Sequence, residues 1–292
     1  MSRVKGIFIK RGQNNRTEEN IPVFTIHPPH GWIPLNMREL WEYRELLYIL
    51  IWRDINVRYK QTAIGVAWVV IQPFLAMIVF SLLFGRLAKI PSEGLPYPVF
   101  AYSALLPWQF FAKALTEAST SLVVNERLIT KVYFPRLLVP TAVVLAGLLD
   151  FGISFFVLLG MMVFYGLMPS WTVLAIPLFL LLTVVTALGV SFWLSALDVE
   201  YRDVRYALPF VTQLWLFATP VVYPSSMIPQ AWRALYGLNP MVGAIEGFRW
   251  ALLGSRFPDS MMLLVSGLTV TLLFVGGSIY FRRVEFTLAD EI

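Results

Sequence analysis

The 292-residue chain is 58% hydrophobic and only 14% charged, where a soluble domain carries about 25% charged residues. No Asp, Glu, Lys or Arg occurs between Asp150 and Asp198, a run that a soluble core does not need and a lipid-spanning segment does. The net charge of +5 lies mostly outside the apolar segments, so membrane topology rather than nucleic acid accounts for it, and the lack of cysteine excludes disulfides, thiolate metal sites and cysteine nucleophiles.

Residues 1–35 are polar and dotted with proline, which predicts a cytosolic arm. Its basic start is not followed by an apolar stretch, so no cleavable signal peptide is expected. His27 and His30 lie here, and two histidines without cysteine or nearby acids make a poor ligand set, so no metal is expected. Residues 36–60 predict an amphipathic helix. Leu40, Tyr43, Leu47, Leu50 and Ile51 recur at helical spacing, with Arg38, Glu39, Glu42, Glu45, Arg53, Asp54 and Arg58 among them. A span follows directly, which favours a helix lying in the headgroup region with its cations toward lipid phosphates over the other reading, an ordinary amphipathic helix packed on protein.

From residue 61 onward the pattern is that of a membrane domain. Apolar spans are predicted at Ala63–Phe84, Pro98–Val124, Leu137–Tyr165, Trp171–Leu197, Ala207–Val222 and Met261–Phe281. Pro73 interrupts the first, which a membrane helix tolerates. The fifth is short and ends at Pro220. Between Tyr223 and Pro258 the pattern breaks: Pro224, Pro229 and Pro240 punctuate it, and Met241–Leu253 is apolar but too short to span. Two short elements dipping into the membrane from one side are predicted there, with Pro220, Pro224, Asn239, Pro240, Glu246 and Arg249 marking a re-entrant region over 223–258. Of the 23 Lys and Arg, 17 fall on the arm, the even-numbered loops and the tail, and 5 on the opposite loops. That bias places both termini in the cytosol. The predicted fold is therefore an all-α integral membrane protein with six transmembrane helices, an N-terminal interface helix, and re-entrant helices between spans five and six.

Three charges fall inside spans: Lys113, Glu117 and Asp150. Lys113 and Glu117 are four apart, share a helix face and are expected to pair. Asp150 is expected to face protein or water. Either structural pairing or substrate contact accounts for them. The loop Asn125–Arg136 carries Leu128, Ile129, Val132, Tyr133 and Phe134 as an apolar surface, rimmed by Glu126, Arg127, Lys131 and Arg136. It reads equally as a short helix that plugs into a partner's groove and as a plain connecting loop with cytosolic charge. Trp108, Phe110, Phe111, Trp215, Phe217 and Tyr223 lie near span ends or proline breaks. They suit either a ring surface for sugar C–H groups or an interfacial aromatic belt.

Catalytic signatures are missing. The sequence has no Gly-x-x-x-x-Gly-Lys-Ser/Thr phosphate loop, no His-Glu-x-x-His and no Gly-x-Ser-x-Gly. If the chain is a pump, its energy source lies elsewhere.

The stretches RYKQTAIGVAWVVIQP at Arg58–Pro73, LPWQFF at Leu106–Phe111, LITKVYFPR at Leu128–Arg136, EYRDVRYALPF at Glu200–Phe210, QLWLFATPVVYP at Gln213–Pro224 and LNPMVGAIEGFRWALLG at Leu238–Gly254 resemble the permease family of ABC exporters for O-antigen, capsular polysaccharide and teichoic acid. The resemblance runs from about Trp32 to the C-terminus, although the arm is long for the family and the tail Thr287–Asp290 fits loosely. It implies a channel made of two copies, with two separate ATPase subunits docked below that hold ATP and Mg. This chain then has no catalytic residue and no cofactor of its own. The coupling helix is implied at Asn125–Arg136, through Asn125, Glu126, Arg127, Leu128, Lys131, Tyr133, Phe134 and Arg136. The re-entrant helices close the exit, the substrate is an undecaprenyl-linked glycan, and the location is the bacterial inner membrane. Two other readings stand beside it. One is an ABC permease of the same architecture exporting a small drug or lipid. The other is a membrane enzyme of glycan assembly, which needs a cluster of acids or histidines at a membrane face.

Overall fold

A computed structural model of the protein describes residues 41–60 and 65–285, all inside the unit Ile33–Ile292. The expectations for the arm, His27 and His30, the first turn of the interface helix, the start of the first span and the tail Thr287–Asp290 lie outside the described residues.

Every described regular element is a helix. In chain order these are α1 (Arg44–Lys60), α2 (Ala67–Phe80, continued by a π-helical turn over Ser81–Leu87), α3 (Tyr97–Ser119), α4 (Ser121–Val124) and α5 (Glu126–Lys131). Then come α6 (Leu138–Phe164), α7 (Ile176–Glu200, led in by a 3-10 turn at Trp171–Ala175), α8 (Val204–Phe217), α9 (Gln230–Tyr236), α10 (Pro240–Leu253) and α11 (Ser260–Val284). Local chemistry sets several ends. The Asn239 side chain accepts from the Met241 amide with Pro240 at the first helical position of α10, and Gly254 closes that helix at φ +63. Asp259 accepts from the Met261 and Met262 amides to start α11, which ends on Arg282 and Arg283.

Among the described residues, four helices are long and apolar enough to cross a membrane: Ala67–Leu87, Leu138–Phe164, Trp171–Glu200 and Ser260–Val284. The 23-residue α3 is less apolar, and most of its side chains are buried. It is wedged between α2, α6, α7, α8 and α10, so its surface meets protein and is free to carry polar groups. With 14 residues, α8 reaches only about 21 Å.

Several boundaries differ from the sequence reading. The second predicted span breaks at Thr120, where Ser119, Thr120 and Ser121 donate their hydroxyls to the carbonyls of Thr116, Glu117 and Ala118, in competition with the helix ladder. The fifth stops at Phe217 rather than Val222, because Pro220 cannot continue a ladder. Pro73 leaves α2 continuous, and the distortion falls later, in the π-helical turn. The interface helix also differs. Leu50 is buried and Leu46, Leu47 and Ile51 pack inward as α1 lies along α6, while Tyr48, Ile49, Trp52 and Val57 are exposed on the other side. It is apolar on two sides, not along one stripe.

The tightest packing joins α7 to α11. A Cβ at Gly189 stands 2.8 Å from the Phe274 Cα, and one at Gly277 stands 2.4 Å from the Gly189 carbonyl oxygen. Small residues let membrane helices approach backbone to backbone. The Trp193 indole closes the seam, stacking on Tyr280 at 4.7 Å between centroids and donating to the Leu273 carbonyl at 3.3 Å. Gly277→Val is expected to force the pair apart at a cost of about 1–3 kcal/mol. A lower melting temperature of the purified protein checks it, and an unchanged one refutes it.

Candidate functional site

A cavity of about 440 Å³ opens between α2, α3, α6 and α8, with Gln72, Gln109, Phe110, Lys113, Asp150 and Thr212 among its walls. Each helix contributes a different kind of group. The middle of α3 supplies Gln109 and, one turn on, Lys113, while α6 supplies Asp150.

The three charges expected inside spans form one cluster, and its centre is Asp150. Lys113 Nζ donates to Asp150 Oδ2 at 2.8 Å and lies 3.8 Å from Glu117 Oε1. The expected Lys113–Glu117 pair is thus present, but Asp150 is the nearer partner. A fourth charge was not expected there. Arg58, at the end of α1, donates through Nη1 to Asp150 Oδ2 at 2.6 Å and through Nη2 to Glu117. Arg58 therefore points inward and not toward lipid phosphates, because two carboxylates at this depth bind a cation more strongly than an exposed headgroup does. The Tyr59 hydroxyl donates to Asp150 Oδ1. Burial, first, and then that carboxylate push the Tyr59 phenol above its ordinary range. No local pattern signals Arg58, whose partner lies 92 residues away. The only hint is that Glu117 and Asp150 against Lys113 leave one net negative charge in the spans, which a second cation balances.

The predicted re-entrant residues hold one crossover. Arg249, 1% exposed, donates to the Val221 carbonyl at 2.6 Å, to the Tyr223 carbonyl at 3.4 Å and to Glu246 Oε1 at 3.1 Å. Its guanidinium lies 3.7 Å from the Phe100 ring centroid. Ser225 Oγ donates to Glu246 Oε2 at 2.8 Å. Asn239 not only caps α10 but donates to the Ala218 carbonyl and to Thr219 Oγ1, and accepts from the Trp215 indole. Pro220 is buried in this crossover, and Pro224 precedes the 3-10 turn Ser225–Met227. One further staple escaped the sequence reading. Buried Asp198 accepts two bonds from Arg205, at 3.1 and 3.0 Å, across the turn from α7 to α8.

The six aromatics separate. Trp108, Phe111 and Trp215 pack on one another at 5.2–6.3 Å between centroids, with Trp108 and Phe111 buried. The Trp108 and Phe111 rings are thereby enclosed by protein, while Trp215 is half-buried. Phe110 packs on Phe151 and lines the cavity. Phe217 is half-exposed, and the Tyr223 and Tyr236 hydroxyls lie 2.9 Å apart.

The Asn125–Arg136 loop is a short helix, α5, followed by extended chain. Ile129 and Phe134, expected on its outward surface, turn inward and pack with Leu50, Leu138 and Phe281, whereas Tyr133 is 80% exposed and Val132 is open. Phe134 faces inward because the chain has left the helix at Val132, which is extended. The Arg136 amide donates to Glu285 Oε1 at 2.7 Å, and the Arg136 guanidinium bonds the Glu285 carbonyl. Loop and last helix are thereby tied.

Residues 45–253 match the family described as ABC-2 type transporter. The chain is 33% identical over 255 residues to the O-antigen export system permease protein RfbA of Myxococcus xanthus, covering 86% of this chain and 97% of that protein. It is 28% identical over 247 residues to a Klebsiella pneumoniae protein of the same name, covering 84% and 94%. To the polysialic acid transport protein KpsM of Escherichia coli it is 21% identical over 255 residues, covering 82% and 94%. A family match that takes in the charge cluster, the cavity and the Arg249 crossover alike leaves one assignment: the chain is a member of the ABC-2 type transporter family.

Proposed function

We propose that this protein is the channel-forming membrane subunit of an ATP-driven exporter that carries lipid-linked polysaccharide from the bacterial cytosol across the inner membrane. The observation that carries this reading is the likeness, over nearly their full length, to permeases named for O-antigen export. Two copies form the channel, and two separate ATPase subunits bind ATP and Mg, in keeping with a sequence that lacks a phosphate loop of its own.

In this reading the chain crosses the membrane six times, α3 and α8 joining the four apolar helices. The domain order is a cytosolic arm (1–35), an interface helix (36–60) and the membrane domain (61–292). Both termini are cytosolic, as the basic-residue bias directs. α9 and α10 enter the membrane from the outer side and return, and the Glu246–Arg249 pair holds them at the exit. The loop from Asn125 to Arg136 is the coupling element, with Tyr133, Val132, Arg127 and Lys131 toward the ATPase. Phe134 and Arg136 bind the loop to its own domain, so that a push on it reaches α3, α6 and α11 together. The cavity beside Asp150 lies on the pathway, with Phe110 the pathway aromatic nearest the substrate.

Deletion of the gene is expected to strip the glycan from the cell surface and to build up lipid-linked glycan in the cytosol. An exporter of small drugs or lipids leaves surface glycan unchanged on deletion. An enzyme of glycan assembly removes the glycan with no precursor build-up. Either result refutes the proposal.

A further inference from the structure

The charged cluster is bonded mainly within itself: Asp150 is bonded by Arg58, Tyr59 and Lys113, and Glu117 by Arg58. The threonine hydroxyls on the cavity wall are committed too, Thr116 donating to the Ala112 carbonyl and Thr212 to the Leu208 carbonyl. The neutral polar side chains left without a partner are amides. Gln72 on α2 and Gln109 on α3 line the cavity. Gln213 on α8 is exposed and lies one turn on from cavity-lining Pro209, next to Thr212. None of their three side-chain amides has a hydrogen-bond partner among the described residues. They sit within runs such as Val69-Val70-Ile71 and Leu214-Trp215-Leu216, where every neighbour suits hydrocarbon. Polar side chains inside membrane segments face the bundle interior or a water-filled cavity, not lipid, and here two of them, on α2 and α3, line one cavity while a third, on α8, is exposed one turn from its wall.

We infer that the amides of Gln72, Gln109 and Gln213 form the glycan-contacting surface of this cavity, a neutral belt for sugar hydroxyls. An amide both donates and accepts, as a sugar hydroxyl does. Being neutral, it makes the same contact with each successive sugar unit and does not trap an anionic one. A cavity of about 440 Å³ lies in the range of small-ligand sites, about 300–1,000 Å³. The inference rests on the export reading and deepens it. It places substrate contact on side-chain amides, where composition had pointed to aromatic rings.

The test replaces all three glutamines with leucine in the chromosomal gene of a producing cell and compares surface glycan with lipid-linked glycan held in the cytosol. Leucine favours membrane insertion, so the amount of protein in the membrane is expected to stay constant. Export is expected to fall at least about tenfold, as the loss of three hydrogen-bonding groups allows. The matching asparagine set, which keeps an amide at each position, is expected to retain most of the export. Should the triple-leucine protein fail to accumulate, the single leucine variants carry the measurement, each with a loss of about threefold. Normal export by the leucine variants overturns the inference, and so does an equal loss in the leucine and asparagine sets. A deletion strain that still exports glycan overturns the export reading, and this inference with it, before any glutamine is changed.

Discussion

Asp150→Leu is expected to be among the most damaging single substitutions in the membrane domain. Two effects oppose each other. Leucine removes an insertion penalty of about 2.5–3.5 kcal/mol for a carboxylate at span centre and contributes about −0.3 to −0.6 kcal/mol of its own, so α6 enters the membrane more readily. In the folded protein, however, Arg58 and Lys113 lose the carboxylate they share at 2.6 and 2.8 Å. Only the more exposed Glu117 then remains for two cations. Breaking a buried pair costs about 3–5 kcal/mol, against a total stability of about 5–15 kcal/mol. The gain belongs to insertion and the loss to the folded state, so the purified protein should melt well below the wild type while still reaching the membrane. Lys113→Met combined with Asp150→Leu leaves Arg58 and Glu117 as a balanced pair and should recover much of the loss. A single variant that melts like the wild type, or a double variant worse than the single, contradicts this account of the cluster.

Arg249→Met is expected to release the crossover between α8 and α10. Methionine fills much of the same space, but Val221 and Tyr223 lose their donor and Glu246 stays buried without its cation. The expected loss is again about 3–5 kcal/mol. It should be local in character, with faster amide exchange over residues 218–225 than in α7 or α11. Changing Glu246 to Gln in the same protein removes the stranded charge and should restore part of the stability. If the single variant leaves both melting and exchange untouched, Arg249 is not what holds the crossover.

Much of the helix layout was legible because lipid imposes simple rules on composition. The charge-free run after Asp150 covers the second half of α6 and nearly all of α7, and Leu137–Tyr165 was expected where Leu138–Phe164 is found. The prolines at 224, 229 and 240 announced the broken region, where α9 and α10 now stand. What was hidden depends on contacts between distant segments. Arg58 gave no sign of reaching Asp150 across 92 residues. The roles of Trp108 and Phe111 were equally opaque, since a helix buried on nearly every side has no apolar stripe to read. Phe134 was assigned outward on the assumption that the loop stays helical. The chain turns extended at Val132, and the side chain swings into the core. Gln72, Gln109 and Gln213 were visible as letters in the motifs, but only the absence of partners in three dimensions separates them from ordinary polar substitutions.

The glycine seam between α7 and α11 has a mechanical side. With the Gly189 oxygen only 2.4 Å from where a Gly277 Cβ would stand, no cushion of side chains separates the two rods, and they are expected to move as a single beam. α10 is braced against that beam, and α3 bears on it through α7. Slack is left to α2, which rests on α3 and α6, and to stubby α8, which rests on α3 and α7. Any relative movement within the domain is therefore expected first in these two light shutters, set against a stiff frame.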